Sequence, residues 1–217
     1  MKYKLTEDTR ELEPGVIVYR IEALKDFKTI GGDVKKGDKG GWIASEENLS
    51  QLGACWLFDE SVGYENSRRS EDSIAKGNSK QYGNSRQSGN SQQFGDSQQY
   101  DNSQQFGYSW QYGNSRQYGY SRQHGYSEQF GNSKQSGNSK QSGNSKQSGN
   151  SKQSGNSKQS GNSKQSGYSR QYGDSRQSGD SKQFGDSRQF GYSWQFSDSK
   201  QSGDIRLLNK LKWNERG

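Results

Sequence analysis

The sequence predicts an all-β solenoid, short parallel strands wound into one long coil, on three observations. Ser recurs at every sixth position from Ser61 to Ser199, 24 in succession. Gln recurs at every sixth position from Gln81 to Gln201, 21 in succession. Gly holds a third phase from Gly77 to Gly203, yielding only at Asp101 and Ser197. A fixed short period marks repeat architectures, whose units bury their surface only against their neighbours. Composition alone, 24% hydrophobic with 29 glycines, is that of a disordered low-complexity chain. Such a chain has no physical reason to hold one residue type in phase through 24 repeats.

The unit reads S-x-Q-y-G-z, and between Gly131 and Ser166 it becomes six identical copies of G-N-S-K-Q-S. Neighbouring residues of a strand point to opposite faces. Position x is mostly Lys or Arg, as at Lys80, Arg86, Lys134, Arg170 and Arg188, and faces water. Ser and Gln flank x, so both face inward. Gly supplies a backbone with positive φ at the corner. Asp101 tolerates that conformation and Ser197 does so less readily. Position y holds Tyr, Phe, His or Ser, and z holds Asn, Asp or Tyr. Three strands per turn make an 18-residue triangular coil, and residues 61–204 amount to eight coils.

At the head of the repeat stands the segment G-G-W-I-A-S-E-E-N-L-S-Q-L-G-A-C-W-L-F-D-E-S, Gly40 to Ser61. Cys55 and Leu57 fall in the phases of the later Ser and Gln. Over residues 35–204 the chain resembles bacterial and phage hexapeptide-repeat left-handed β-helix proteins of uncharacterised function, which continue as A-x-V-Y-G-N repeats. The resemblance implies a left-handed coil, although general crossover chirality favours the other hand.

The inward residues depart from that family. Gln stands where the family has Val or Ile, and Ser where it has Ala, so the expected core is polar. Its representatives at mid-rod are Ser133, Gln135, Ser151, Gln153, Ser169 and Gln171. Each aliphatic side chain replaced forgoes roughly 1.5–3 kcal/mol of burial. The sequence predicts an offsetting glutamine ladder, each amide bonding the Gln one coil away, about 4.8 Å distant.

The ends differ chemically from the middle. Ile17, Tyr19 and Ile21 alternate as in a half-buried strand, and Trp42, Trp56, Leu57 and Phe58 add apolar bulk. Ile205 and Leu207 enter the Ser and Gln phases, followed by Leu208, Leu211 and Trp213 at helix-like spacing. The chain divides into a β-rich N-terminal cap and opening coil at 1–54, a solenoid at 55–204 and a C-terminal cap at 205–217. Caps cover the unpaired backbone of terminal coils.

Charge and chemistry bear on function. Residues 1–76 carry 12 basic and 15 acidic side chains, residues 77–204 carry 15 and 8, and residues 205–217 carry 4 and 1. The basic excess belongs to the repeat and its tail. No apolar run is long enough to span a membrane. The first residues lack an apolar leader, which predicts a cytoplasmic protein, virion-associated if phage-encoded. His124 occupies a y position, where it reads as a substitution for Tyr rather than a general base, which needs an orienting partner. Cys55 reads as buried packing rather than a reactive thiol. Gly37 to Gly41 read as a turn, and neither a metal cluster nor any other cofactor site is predicted.

Aromatic residues at y recur eighteen positions apart, as at Tyr82, Tyr100 and Tyr118, and read as stacking between coils. Trp110 and Trp194 occupy the outward x phase and are candidate contact residues. Lys134, Lys152, Arg170 and Arg188 stack in one x column and are candidates of the same kind. Solvated charge for solubility is the plain explanation of such columns; a surface for polyanions is the sharper one. The sequence thus predicts a rigid spacer or assembly module without catalytic activity, able to form a homo-oligomer or end-to-end assembly and binding no small-molecule substrate. The alternative is a rod that binds nucleic acid or an anionic surface polymer.

Overall fold

The computed structural model describes residues 1–95 and 97–99, and from 104 onward the strand residues together with Gly107 and Gly113. The chain opens with β1 (Tyr3–Glu13) and β2 (Val16–Ala23), an antiparallel hairpin turned at Pro14 and Gly15. Proline presets the first turn position and Gly15, at φ 81°, takes the left-handed one. A small hairpin follows, β3 (Phe27–Thr29) with β4 (Gly32–Val34). Next, β5 (Lys39–Ile43) pairs antiparallel with β2 on one side and parallel with β7 (Val62–Gly63) on the other. That change of direction joins the cap to the coil.

From β6 (Trp56–Leu57) the chain winds as stacked parallel coils: β7, β8 (Arg68–Arg69), β9 (Ile74–Lys76), β10 (Lys80–Gln81), β11 (Arg86–Gln87) and β12 (Gln92–Phe94). Every third strand pairs in register, as Lys80 with Gln98 and Gln81 with Gln99. The result is three long sheets, one of 12 strands that includes the hairpin and two of 9. The first coil is longer than the rest, because Trp42 pairs with Val62 while Trp56 pairs with Ile74. The two extra residues lie in the loop after the 3-10 turn Glu46–Asn48.

The apolar core sits at the cap. Tyr3, Ile21, Ile43, Leu49, Cys55, Trp56 and Leu57 are buried together, with Phe27 and Phe58 against them. Trp56 and Ile74 occupy the outward phase yet are buried, because the cap lies over that face of the coil. Gly40 and Gly41 belong to strand β5, not to the turn read from the sequence. A Cβ on Gly40 would lie 2.6 Å from atoms of Ile21 and Trp56, so only hydrogen fits there. The alternation read at Ile17, Tyr19 and Ile21 also needs correction: Ile17 is 51% exposed, while Val18, Ile21 and Ala23 are buried. Register shifts in the pairing of β2 with both neighbours break the period of two.

Beyond the cap, Ser61, Ser67, Ser73, Ser79, Ser85, Ser91 and Ser97 are buried, as are the Gln residues of every coil from Gln81 to Gln171. The amide bonding differs from the ladder expected. The backbone ladder runs from the amides of x and y to the carbonyls of Ser and Gln one coil on, as Lys80 N to Ser97 O (3.0 Å) and Tyr82 N to Gln99 O (3.1 Å). That leaves the x carbonyl to be satisfied. The Gln side chain reaches it: Nε2 of Gln81 donates to Arg68 O (3.0 Å), that of Gln87 to Ile74 O (3.1 Å) and that of Gln93 to Lys80 O (2.9 Å). Each of these amides also donates to the Ser carbonyl four residues on. The Gln thus ties one face of the coil to the next, rather than Gln to Gln.

The corners hold a second device. Asp59, Glu65 and Glu71 stand in the Gly phase with φ of 55°, 55° and 58°. Left-handed backbone disfavours such residues, and here each carboxylate returns a bond to the coil above. Asp59 accepts from Gly77 N, Glu65 from Gly83 N and Glu71 from Gly89 N, at 3.1, 2.8 and 2.7 Å. At the far end, Arg206–Leu208 and Lys212–Trp213 are strands in register with residues one coil earlier. Leu208 and Trp213, read at helix-like spacing, are therefore strand residues, and Leu211 lies outside the described residues.

Candidate functional site

The sheet that begins at β8 has no full strand before it. Its edge is covered by the 3-10 turn, and Leu49 makes only a single bridge to Arg69. Asn48 holds this turn from inside: its Oδ1 accepts from the amides of Ala44 and Ser45, and its Nδ2 donates to the carbonyls of Glu65 and Ser67. The turn and the outer face of the sheet enclose a cleft of about 680 Å³, lined by Glu46, Glu47, Ser50, Arg68, Ser70, Glu71, Arg86 and Ser88 among others.

Two cations dominate it. Arg68 and Arg86 are direct partners in adjacent parallel strands, so their Cα atoms lie about 4.8 Å apart. Arg68 Nη2 donates to Glu47 Oε2 at 3.2 Å, a bridge with both side chains largely exposed. Exposed pairs of this kind contribute about 0–1 kcal/mol, so an incoming anion competes with Glu47 on even terms. Paired guanidinium groups suit phosphate or carboxylate, which they grip through two N–H donors. Glu46 and Glu47 place carboxylates at the rim of the same cleft.

Beneath this surface lies Arg69, which points into the coil and is 2% exposed. Its Nε donates to Gln87 Oε1 at 2.9 Å and its Nη2 to Gln93 Oε1 at 3.2 Å. Burial pushes its guanidinium down to about 9. It remains charged at neutral pH, held by neutral amide oxygens. Residue counting places Arg69 in the Gln phase, and that was the signal by which the sequence could have revealed it.

A second cluster knits the cap to the first coil. Glu60 accepts from Arg10 Nη1 (2.7 Å), Arg20 Nη1 (2.7 Å) and Trp42 Nε1 (2.9 Å). Both guanidinium groups lie over the Trp42 ring, at 4.5 and 4.9 Å. The Arg20 hydrogen bond, followed by that of Trp42 and the charges of both arginines, holds the Glu60 carboxyl below its usual range against desolvation. Cys55 is buried, with Lys2 Nζ 2.8 Å from its carbonyl and 3.2 Å from its sulfur.

The residues singled out from the sequence lie elsewhere. Gln135, Gln153 and Gln171 are buried, while Ser133, Ser151, Ser169 and His124 lie outside the described residues. Trp110, Trp194, Lys134, Lys152, Arg170 and Arg188 are strand residues whose side chains are likewise outside the description. None of them lines the cleft. Among the described residues no group of three His, Cys, Asp or Glu could hold a metal ion, and no helix is long and apolar enough to cross a membrane.

No family model matches the chain. It is 35% identical over 68 residues, 28% of its length, to an uncharacterised acetyltransferase of Escherichia coli strain K12, YdcK. The match spans 20% of that protein, so the chain covers about one fifth of its curated relative. The expectation of a spacer or assembly module without catalytic activity is overturned by this likeness to an acetyltransferase.

Proposed function

We propose that the chain is the solenoid of a hexapeptide-repeat acyltransferase, and that the cleft over Arg68 and Arg86 receives the anionic part of an acyl donor. In this reading the coil is left-handed and residues 55–204 form about eight turns around a Ser and Gln interior. The observation that carries the reading is the in-register pair Arg68 and Arg86 in a cleft of about 680 Å³, on a chain that shares 35% identity over 68 residues with an acetyltransferase. A thioester donor built on a phosphate-bearing carrier needs its phosphates neutralised while its acyl group is left free. Arg68 and Arg86 supply the positive charge. Glu47, freed when the anion takes Arg68, supplies a carboxylate able to accept the proton of an attacking amine or hydroxyl.

Calorimetric titration with coenzyme A, and a thiol-release assay with acetyl-coenzyme A, test this. Binding in the micromolar to low millimolar range, lost in the Arg68→Glu, Arg86→Glu double variant, is expected. Absence of binding, or binding indifferent to both substitutions, refutes the assignment.

A further inference from the structure

Independently of the cleft, one sheet of the coil has basic residues in register through successive strands. Strand pairing places Arg116 opposite Lys134, Lys134 opposite Lys152, Lys152 opposite Arg170, Arg170 opposite Arg188 and Arg188 opposite Arg206. Six consecutive strands of the 12-stranded sheet thus carry one basic residue each at paired register positions, their Cα atoms about 4.8 Å apart over roughly 24 Å. The other two sheets are interrupted. In one, Arg122, Lys140, Lys158 and Arg176 give way to Trp194. In the other, Lys146, Lys164, Lys182 and Lys200 follow Glu128.

Like charges directly opposite one another in a sheet destabilise it, and at low salt adjacent charges at this spacing repel by more than thermal energy. Solubility does not require the arrangement, since a mixed-sign surface achieves it without the repulsion. The geometry points to a ligand that relieves it: we infer that the Arg116–Arg206 column is a docking surface for a single-stranded nucleic acid. A phosphodiester strand carries one charge per residue at 3.4 Å when stacked. Released from stacking it stretches, so successive phosphates can follow a pitch of about 4.8 Å. A duplex, at one charge per 1.7 Å of rigid axis, cannot adjust to a straight column. Contacts of this kind position a strand and read no bases, so the surface is indifferent to sequence.

Fluorescence anisotropy with a labelled oligothymidylate of about 20 nucleotides, across a salt series on the full chain, is the test. With four to six phosphates engaged, log K falls against log salt with a slope of about −3 to −4. Replacing Lys134, Lys152, Arg170 and Arg188 by Gln leaves two cations in the column. Affinity near 50 mM salt then drops tenfold or more and the slope flattens to about −1.5. The matched variant Lys146, Lys164, Lys182 and Lys200→Gln keeps the parental slope. Circular dichroism checks that each variant retains its β signal; if the first does not, Lys152→Glu alone is read, with at least a threefold loss expected. No binding at low salt, equal loss in both variants, or a duplex bound as tightly as the single strand would each overturn the inference.

Discussion

Replacing Gln81 by Glu probes the bond that distinguishes this coil. Gln81 is 1% exposed, and its Nε2 donates to Arg68 O at 3.0 Å and to Ser85 O at 3.3 Å. A carboxylate of the same size can only accept, so both carbonyls would face a negative oxygen. The chain has two ways to respond. It can bury the charge, at several kcal/mol, or it can fold with the carboxyl protonated. The second route has a definite magnitude: protonating at pH 7 a group whose unfolded pKa is about 4.3 costs about 3.7 kcal/mol. The neutral acid donates once, so one of the two bonds remains lost, worth about 0.5–1.5 kcal/mol. The expected loss at pH 7 is therefore about 4–5 kcal/mol. The sign follows from linkage: a carboxyl whose folded pKa is raised binds more protons in the folded state. The deficit is therefore small near pH 4 and grows by about 1.4 kcal/mol per pH unit above it. Lys80→Glu, one residue away and facing water, should cost under about 1 kcal/mol. Urea unfolding of parent and both variants from pH 4 to 8 measures all of this. If Gln81→Glu follows the parent at every pH, the side-chain amide is not what joins the faces of the coil.

Three further outcomes are expected. Arg69→Gln restores the residue of the repeat and removes a desolvated cation, so thermal melting should rise or stay within about 1 kcal/mol of the parent, whereas Arg69→Ala should fall by 2 kcal/mol or more through the space and the unpaired amide oxygens it leaves. Gly89→Ala meets both a φ of 71° and a Cβ placed 2.8 Å from Gly107 N, so a loss of about 1–3 kcal/mol is expected in denaturant unfolding. Glu60 has its carboxyl held below the usual range, so the stability it contributes is present above that range and lost as pH falls through the depressed value. Acid titration of Glu60→Gln followed by Trp fluorescence should show a flatter acid limb than the parent; identical limbs would show that the Arg10, Arg20 and Trp42 cluster does not respond to this charge.

Where sequence and structure parted, the cause was local. The outward phase read for x holds for Arg68, which is exposed, while its neighbour Arg69 occupies an inward phase that composition does not reveal unless each column is counted. Gly40 and Gly41 looked like a turn because glycines cluster in turns; in the fold they permit Ile21 and Trp56 to close over the backbone. Asp59, Glu65 and Glu71 stand in the Gly phase, but what makes them fit there, a bond to a glycine amide eighteen residues away, is not visible locally.

The six-residue period by itself determined the strands and, among the described residues, the inward Ser and Gln and the outward Arg68, Lys80 and Arg86, because a repeat that pairs with its own copies inherits its register from its arithmetic. Tertiary structure alone decided where the Gln amides bond, since that depends on which carbonyl the backbone ladder leaves over. It alone decided the cleft as well, because Glu46 and Glu47 meet Arg68 and Arg86 only after the longer first coil has folded its turn across a sheet edge.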